Sequence, residues 1–416
     1  MSATLEVLPS RAWLMVALLW FVALLNYLDR LILITMRTSI KASIPMTEAQ
    51  FGLLTTVFLI TYGLLSPLGG FLADRVNRSR VIIFSLFAWS ALTWLTGHAK
   101  SFPELVVYRS LMGISEACYF PAAAGLLMDY HRGATRSLAN GIHLSGVMVG
   151  SALGGLGGWI ADQQDWTFVF RLFGVVGVAY SLVLLGLLRD RPATATGVGT
   201  AAVPPSRPVK LGEAMVSLFS QRSFVLALSF WGLLGIASWA IAGWLPAYLH
   251  EQFGMTQGRA GLTALGYIYS SSLVGMVLGG VWGDRWSLRS SRGRVWVGVI
   301  GLLVAAPGVL MLANSPVLGL VLVGMVIYGL TRPFPDANMT PILAQVVDRR
   351  YLATAVGVIN MFAVFAGGLT IYAGGVLRDA HVNISRVFTF GACVFLLCAF
   401  LLWLISPRDH PSNSPP

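Results

Sequence analysis

The chain has 416 residues, of which 56% are hydrophobic and only 11% charged, and its mean hydropathy is +0.74. A soluble domain carries about 25% charged residues because its surface faces water, so this composition excludes a soluble enzyme and demands lipid as solvent. The net charge of +11 would suit a nucleic-acid partner, but the basic residues are spread over loops and leave no patch for one.

Apolar runs of spanning length, roughly 20 residues each, recur from Trp13 to Ile405. The first, 13–36, exceeds a signal-peptide apolar region and lacks a small-x-small cleavage site, so it reads as a retained helix. It contains Asn26-Tyr27-Leu28-Asp29-Arg30. The second, 49–73, holds Tyr62 and runs into Gly70-Phe71-Leu72-Ala73-Asp74-Arg75, followed by the basic turn Val76-Asn77-Arg78-Ser79-Arg80. The third covers 81–98. The fourth, 104–128, contains Arg109-Ser110-Leu111-Met112-Gly113-Ile114-Ser115-Glu116-Ala117 and Phe120-Pro121-Ala122. The fifth, 138–161, carries His143 and a glycine-rich stretch from Gly146 to Gly158, which inside an apolar helix allows close backbone approach and is no phosphate loop. The sixth covers 168–188.

A small, Pro/Gly-rich stretch from Pro192 to Pro205 reads as a flexible linker. Leu211 to Phe219 reads as a short amphipathic helix on the membrane surface. Six more runs follow, at 223–249, 260–283, 295–313, 316–346, 353–377 and 387–405. After the eighth, Gly280-Val281-Trp282-Gly283-Asp284-Arg285 echoes Gly70 to Arg75 at an offset of 210 residues, which is what a duplicated six-helix unit leaves behind. The expected fold is an all-α membrane protein of twelve transmembrane helices in two halves, 1–188 and 223–416, joined by a linker at 189–222.

Placing both termini on one side puts 18 Lys and Arg there against 6 opposite, which by the positive-inside rule predicts cytoplasmic termini in the inner (plasma) membrane. The turn at 75–80 is read first as an orientation anchor. The second reading is a gate formed by Asp74, Arg75 and Asp129, with Asp284 and Arg285 in the repeat. Cys118, Cys393 and Cys398 lie inside apolar runs with neither metal nor disulfide spacing. With no Walker motif and no Ser-His-Asp set, neither ATP drive, nor a cofactor, nor an enzymatic activity is expected.

Six charges deep in the apolar runs carry the functional reading: Asp29, Arg30, Arg109, Glu116, Arg332 and Asp336. A charge at the bilayer centre costs about 2.5–3.5 kcal/mol on insertion scales, so such groups line cavities, pair, and act. Arg109 and Glu116, seven apart, share a helix face, as do Arg332 and Asp336, four apart. Desolvation favours a neutral carboxyl and a nearby arginine opposes it, so an anion that occupies the arginine frees the carboxylate to take a proton. Asp29 and Glu116 are thus suited to carry protons. Arg30, fork-shaped and always charged, is suited to hold a carboxylate, with Arg109 steadying Glu116. His143 is either a proton carrier or a hydrogen-bonding wall residue. Tyr27, Tyr62, Trp239, Trp244 and Asn360 offer polar and stacking contacts, though each taken singly reads first as packing.

These motifs resemble the major facilitator superfamily over the whole chain: Gly70 to Arg80 looks like its loop 2–3 signature, with Asn77 in place of a glycine. Asn26 to Arg30, Arg109 to Ala117, Phe120 to Ala122 and Trp244-Leu245-Pro246-Ala247-Tyr248 are similar to the anion:cation symporter family, which includes proton-coupled importers of sugar acids. The resemblance implies that Asp29 and Glu116 carry protons, that Arg30, Tyr27 and Tyr62 face the substrate, and that Arg109 supports Glu116. Arg332-Pro333-Phe334-Pro335-Asp336-Ala337-Asn338 departs from the common pattern. Its prolines predict a bend, and its arginine predicts either a second acidic group on the ligand or a self-neutralised Arg332–Asp336 pair. The expected function is proton-coupled import of an organic anion by a monomer. The alternative is a proton-driven exporter on the same scaffold.

Overall fold

A computed structural model of the chain describes residues 10–131, 135–190 and 211–405, without the side chains of Asp74, Ser137, Leu211, Arg349 and Ala353. The linker core at 192–205 and the Asp74 carboxylate therefore lie outside the described residues. Within them the chain is helical, and 12 segments are long and apolar enough to cross a membrane. Each coincides with one expected run.

The first six spans are α1 (Ser10–Thr35), α3 (Glu48–Arg75), α4 (Arg78–Thr96), the pair α5 (Phe102–Glu116) and α6 (Tyr119–Tyr130), the pair α7 (Arg136–Leu153) and α8 (Leu156–Gln163), and α9 (Trp166–Leu187). A short α2 (Arg37–Ser43) follows the first span. The last six are α11 (Arg222–Phe253), α12 (Gln257–Ser287), α13 (Gly293–Asn314), the pair α14 (Leu318–Thr331) and α15 (Phe334–Val346), α16 (Leu352–Asp379) and α17 (Ile384–Leu404). Ahead of them, α10 (Leu211–Phe219) is a helix as expected, burying Ala214 and Leu218 and exposing Val216.

The chain forms two compact units, Met1–Val198 with Leu249–Gly266, and Gly199–Tyr248 with Tyr267–Pro416. The turn joining the seventh and eighth spans thus packs with the first unit. Gly155 meets Leu262 so closely that a Cβ would lie 2.7 Å from its Cα, and the Gly258 N–H donates to Asp162 at 2.9 Å.

Three spans are broken, and proline or glycine accounts for each. In the fourth, Pro121 has no N–H for the Ala117 carbonyl, and the helix stops at Glu116 and restarts at Tyr119. Gly69 leaves room there, since a Cβ on it would lie 2.5 Å from the Ala117 oxygen. In the tenth, Pro333 and Pro335 free the carbonyls of Gly329 and Thr331, and the Ser272 hydroxyl satisfies Gly329 at 3.1 Å. The expected bend is a full break between α14 and α15. In the fifth, Gly154 and Gly155 sit between α7 and α8. Small residues drive such approaches because lipid supplies no hydrophobic force between helices.

Two helix starts explain local sequence. Thr47 and Gln50 form a reciprocal capping box on α3. Asn77, which departs from the superfamily's glycine, caps α4 by accepting from the Arg80 N–H at 3.1 Å, with a negative φ of −54° that needs no glycine.

Candidate functional site

In the first unit four of the six deep charges converge, brought by α1 and α5. Asn26, Asp29, Arg30, Arg109 and Glu116 are all buried. Gly113 makes this possible: a Cβ there would lie 2.5 Å from the Phe58 carbonyl, so only glycine lets α5 approach α3 this closely. Arg30 Nε donates to Glu116 Oε2 at 2.8 Å, and Asn26 Nδ2 donates to the same oxygen at 2.8 Å. The Arg30 guanidinium is walled by aromatic rings, 4.3 Å from the Tyr62 centroid, 4.7 Å from Tyr27 and 5.2 Å from Phe58. Such faces hold a desolvated cation.

The expected roles are partly redistributed. The ion-pair partner of Glu116 is Arg30, not Arg109. Arg109 lies 4.6 Å from the Phe58 centroid on the far face of the cluster, donating to the Leu54 carbonyl at 3.4 Å and to Met112 Sδ at 3.2 Å. Asp29 points toward the third span, where Thr93 Oγ1 donates to its Oδ2 at 3.2 Å. Both carboxylates therefore have one engaged oxygen and one, Asp29 Oδ1 and Glu116 Oε1, that is buried without a hydrogen bond. Arg30 Nη2 and Arg109 Nη2 are likewise buried and unbonded. Two acids and two bases sum to no formal charge, with spare acceptors and spare donors at once.

His143 and Tyr119 form a buried pair at 2.8 Å. The Tyr119 hydroxyl also lies 3.0 Å from the Leu19 carbonyl, which ties the pair to the first span.

In the second unit the other two deep charges meet across the tenth-span break. Arg332 pairs with Asp336, and its Nε donates to Ser238 Oγ at 2.8 Å. Both remain partly accessible, 21% and 28% exposed, unlike Glu116 at 0%. Trp239 is half-buried with Gly367 against its indole, Trp244 is buried, and Asn360 is exposed. Asn338 is a structural residue, its amide donating to the carbonyls of Gly279 and Phe334 at 3.0 and 2.9 Å.

Of the expected gate residues, the Asp74 carboxylate lies outside the described residues. Asp129 pairs with Arg78 at 2.5 Å, whereas the Arg75 guanidinium lies 3.6 Å over the Phe71 ring. Asp284 pairs with Arg294 at 2.7 Å, and Arg285 is exposed. Among the described residues no cluster of His, Cys, Asp or Glu suited to a metal is found.

The sequence profile of the Major Facilitator Superfamily matches residues 19–292 and 271–416. The chain belongs to the Major Facilitator Superfamily. This facilitator is 26% identical over 422 residues to the Escherichia coli protein named "Probable galactarate/D-glucarate transporter GarP", an overlap of 94% of this chain and 93% of that one. It is 30% identical over 303 residues to the Cupriavidus necator protein named "Probable sulfoacetate transporter SauU", 69% of each chain. It is also 26% identical over 332 residues to the Drosophila melanogaster protein spinster, spanning only about half (54%) of that longer chain. Its fold matches the crystal structure of a bacterial homologue of the human lysosomal transporter Spinster, with a TM-score of 0.76, 21% identity and coverage of 95% and 96%. The superfamily is one of transporters, in keeping with the twelve membrane spans.

Several polar residues of this facilitator escaped the sequence reading. Asn26 and Thr93 each hold one oxygen of a deep carboxylate, and Ser238 orients Arg332. Asn26 stands in the quoted Asn26–Arg30 motif, and a carboxamide at membrane depth was the available signal. Arg37, Lys41, Glu48 and Glu251 form a charge network that the search for deep charges passed over.

Proposed function

We propose that this facilitator imports an organic anion, such as a sugar acid or another carboxylate, together with protons by alternating access across the plasma membrane, with both termini cytoplasmic. The observation that carries the reading is the buried Arg30–Glu116 pair with its unbonded donor and acceptor atoms. Adding an anion to a formally neutral buried cluster leaves one uncompensated negative charge. In a low-dielectric site that is costly, and a proton taken up by a carboxylate removes it. Arg30 Nη2 offers the donor for the anion, while Glu116 Oε1 and Asp29 Oδ1 offer sites for protons. Arg30 is thus assigned to the substrate and Asp29 and Glu116 to coupling. Tyr27 and Tyr62 frame the anion, and Arg109 supplies background positive charge. Arg332, Trp239, Asn360 and His143 are assigned to substrate contacts, with Asp336 supporting Arg332. Asp74, Arg75, Asp129, Asp284 and Arg285 are assigned to gating.

The names of GarP and SauU support an acidic solute. In proteoliposomes with an imposed inward proton gradient, glucarate, galactarate, galactonate and sulfoacetate are the first anions to offer. Gradient-driven accumulation of at least one is expected, with loss of accumulation but retention of exchange in Asp29→Asn or Glu116→Gln. Full accumulation in both variants would overturn the coupling assignment.

A further inference from the structure

The repeat motif in the second unit ends at a cavity lined by aromatic and basic residues. At the end of α12, Trp282, Arg285, Trp286, Leu288 and Arg289 outline a shallow cavity of about 480 Å³. The two indoles are stacked, with centroids 5.8 Å apart and planes 13° from parallel. Leu288 is 87% exposed. Arg285 and Arg289 are exposed and enter no ion pair among the described residues. The nearest acid in sequence, Asp284, is already matched by Arg294 at 2.7 Å. Among the described residues, two cations without an ion-pair partner therefore stand beside an apolar ledge at the end of a membrane-spanning helix.

Each component selects a lipid headgroup. Indole rings concentrate at the depth where headgroups meet acyl chains. Guanidinium groups bind phosphate oxygens in a bidentate fork. An inorganic phosphate would gain nothing from Leu288 or the exposed indole faces, whereas a phospholipid covers them with its glycerol and upper acyl carbons. The uncompensated positive charge favours a net anionic lipid over a zwitterionic one.

We propose that this cavity binds the headgroup of an anionic phospholipid, its phosphate on Arg285 and Arg289 and its upper chain along Trp282 and Leu288. The bound lipid braces the break in the tenth span. Trp282 meets Phe334 edge to face at 6.0 Å, and Phe334 is the first residue of α15, between Arg332 and Asp336. Gly283 abuts Asn338, whose amide ties the Gly279 and Phe334 carbonyls together. Fixing the stacked indoles thus fixes the segment that carries the second ion pair. The proposal is independent of which solute is carried.

The test uses the full chain in phosphatidylcholine nanodiscs doped with brominated phosphatidylglycerol or brominated phosphatidylcholine. The contribution of the indole pair is taken as the difference between the wild type and Trp282→Phe/Trp286→Phe. Several-fold stronger quenching of that contribution by the anionic lipid is expected, abolished in Arg285→Gln/Arg289→Gln. Each single glutamine variant loses part of it, which keeps the test readable if the double variant does not fold. Amide exchange over 332–338 is expected to slow with phosphatidylglycerol in the wild type only. Equal quenching by the two lipids, a preference that survives in the glutamine variants, or displacement by inorganic phosphate alone would overturn the site. Exchange indifferent to the lipid would overturn the bracing.

Discussion

Arg30 and Glu116, 86 positions apart in the chain, meet through a 2.8 Å hydrogen-bonded ion pair in which the acid is wholly buried and the base nearly so. A buried pair gives little net stability, because desolvation offsets the attraction. Removing one partner is costly, about 3–5 kcal/mol, since it strands the other charge. Arg30→Ala should therefore lower the melting temperature in detergent sharply, and Arg30→Gln/Glu116→Gln should recover most of the loss while remaining inactive. Equal destabilisation in the single and double variants would mean that the pair is not what holds the cluster.

Asn26 is predicted to act through Glu116. Its amide shares Glu116 Oε2 with Arg30 and so leaves Oε1 as the open oxygen. Asn26→Leu removes one hydrogen bond to a buried charge, a loss of about 1–3 kcal/mol. The decisive readout is the pH profile of uptake, which should move in Asn26→Leu. In a Glu116→Gln background the same substitution should have little further effect on that profile. A purely structural asparagine would lower stability equally in both backgrounds and leave the profile in place.

The contrast between these two residues shows how much of the molecule was legible beforehand. All twelve spans were readable because lipid forces each helix to be continuously apolar, and the deep charges stood out against that background. The tenth-span bend was readable from Pro333 and Pro335. The fourth-span break was not drawn from Pro121, although the same missing N–H causes it. Pairing was least readable. Spacing along a helix put Arg109 and Glu116 on one face, but the partner of Glu116 comes from α1, and such a choice depends on helix rotation that no local pattern encodes. Asn26 and Thr93 were passed over for the same reason: an uncharged polar side chain gains its meaning only from what lies opposite.

Arg332 and Asp336 offer a sharper discrimination than the first pair, because both are partly accessible and Ser238 fixes the guanidinium from a third side. If Arg332 receives a second acidic group, Arg332→Gln/Asp336→Asn should lose uptake of dicarboxylates by tenfold or more while sparing monocarboxylates, a difference of about 1.4 kcal/mol for each factor of ten. Equal uptake of both classes by the double variant would make the pair a self-neutralised structural element. Arg332→Gln alone is the less informative variant, since it leaves Asp336 without its partner.

The charge network at Arg37 makes a prediction about acid and alkali. Arg37 Nε donates to Glu48 Oε2 at 2.8 Å, Lys41 also reaches Glu48, and Arg37 Nη1 lies 3.1 Å from Glu251, on the segment Leu249–Gly266. Burial alone would lower the pKa of Arg37, but Glu48 and then Glu251 outweigh it and hold the guanidinium above its ordinary range. A cation with a raised folded-state pKa contributes stability that is complete below its unfolded pKa and is lost only as pH rises through the folded one. The Arg37 contribution should therefore be flat from about pH 6 to 9 and fail only in strong alkali. Arg37→Gln is expected to lower the melting temperature by the same amount across that range. Glu48→Gln, at a site only 12% exposed, should cost about 1.5–3 kcal/mol. Glu251→Gln, at a carboxylate 43% exposed, should cost less than about 1 kcal/mol. Thermal unfolding of the three variants across the pH series checks both the order and the flatness. An Arg37→Gln deficit that grows steadily from acid to neutral pH would show that carboxylate titration, rather than the arginine, sets the strength of this network.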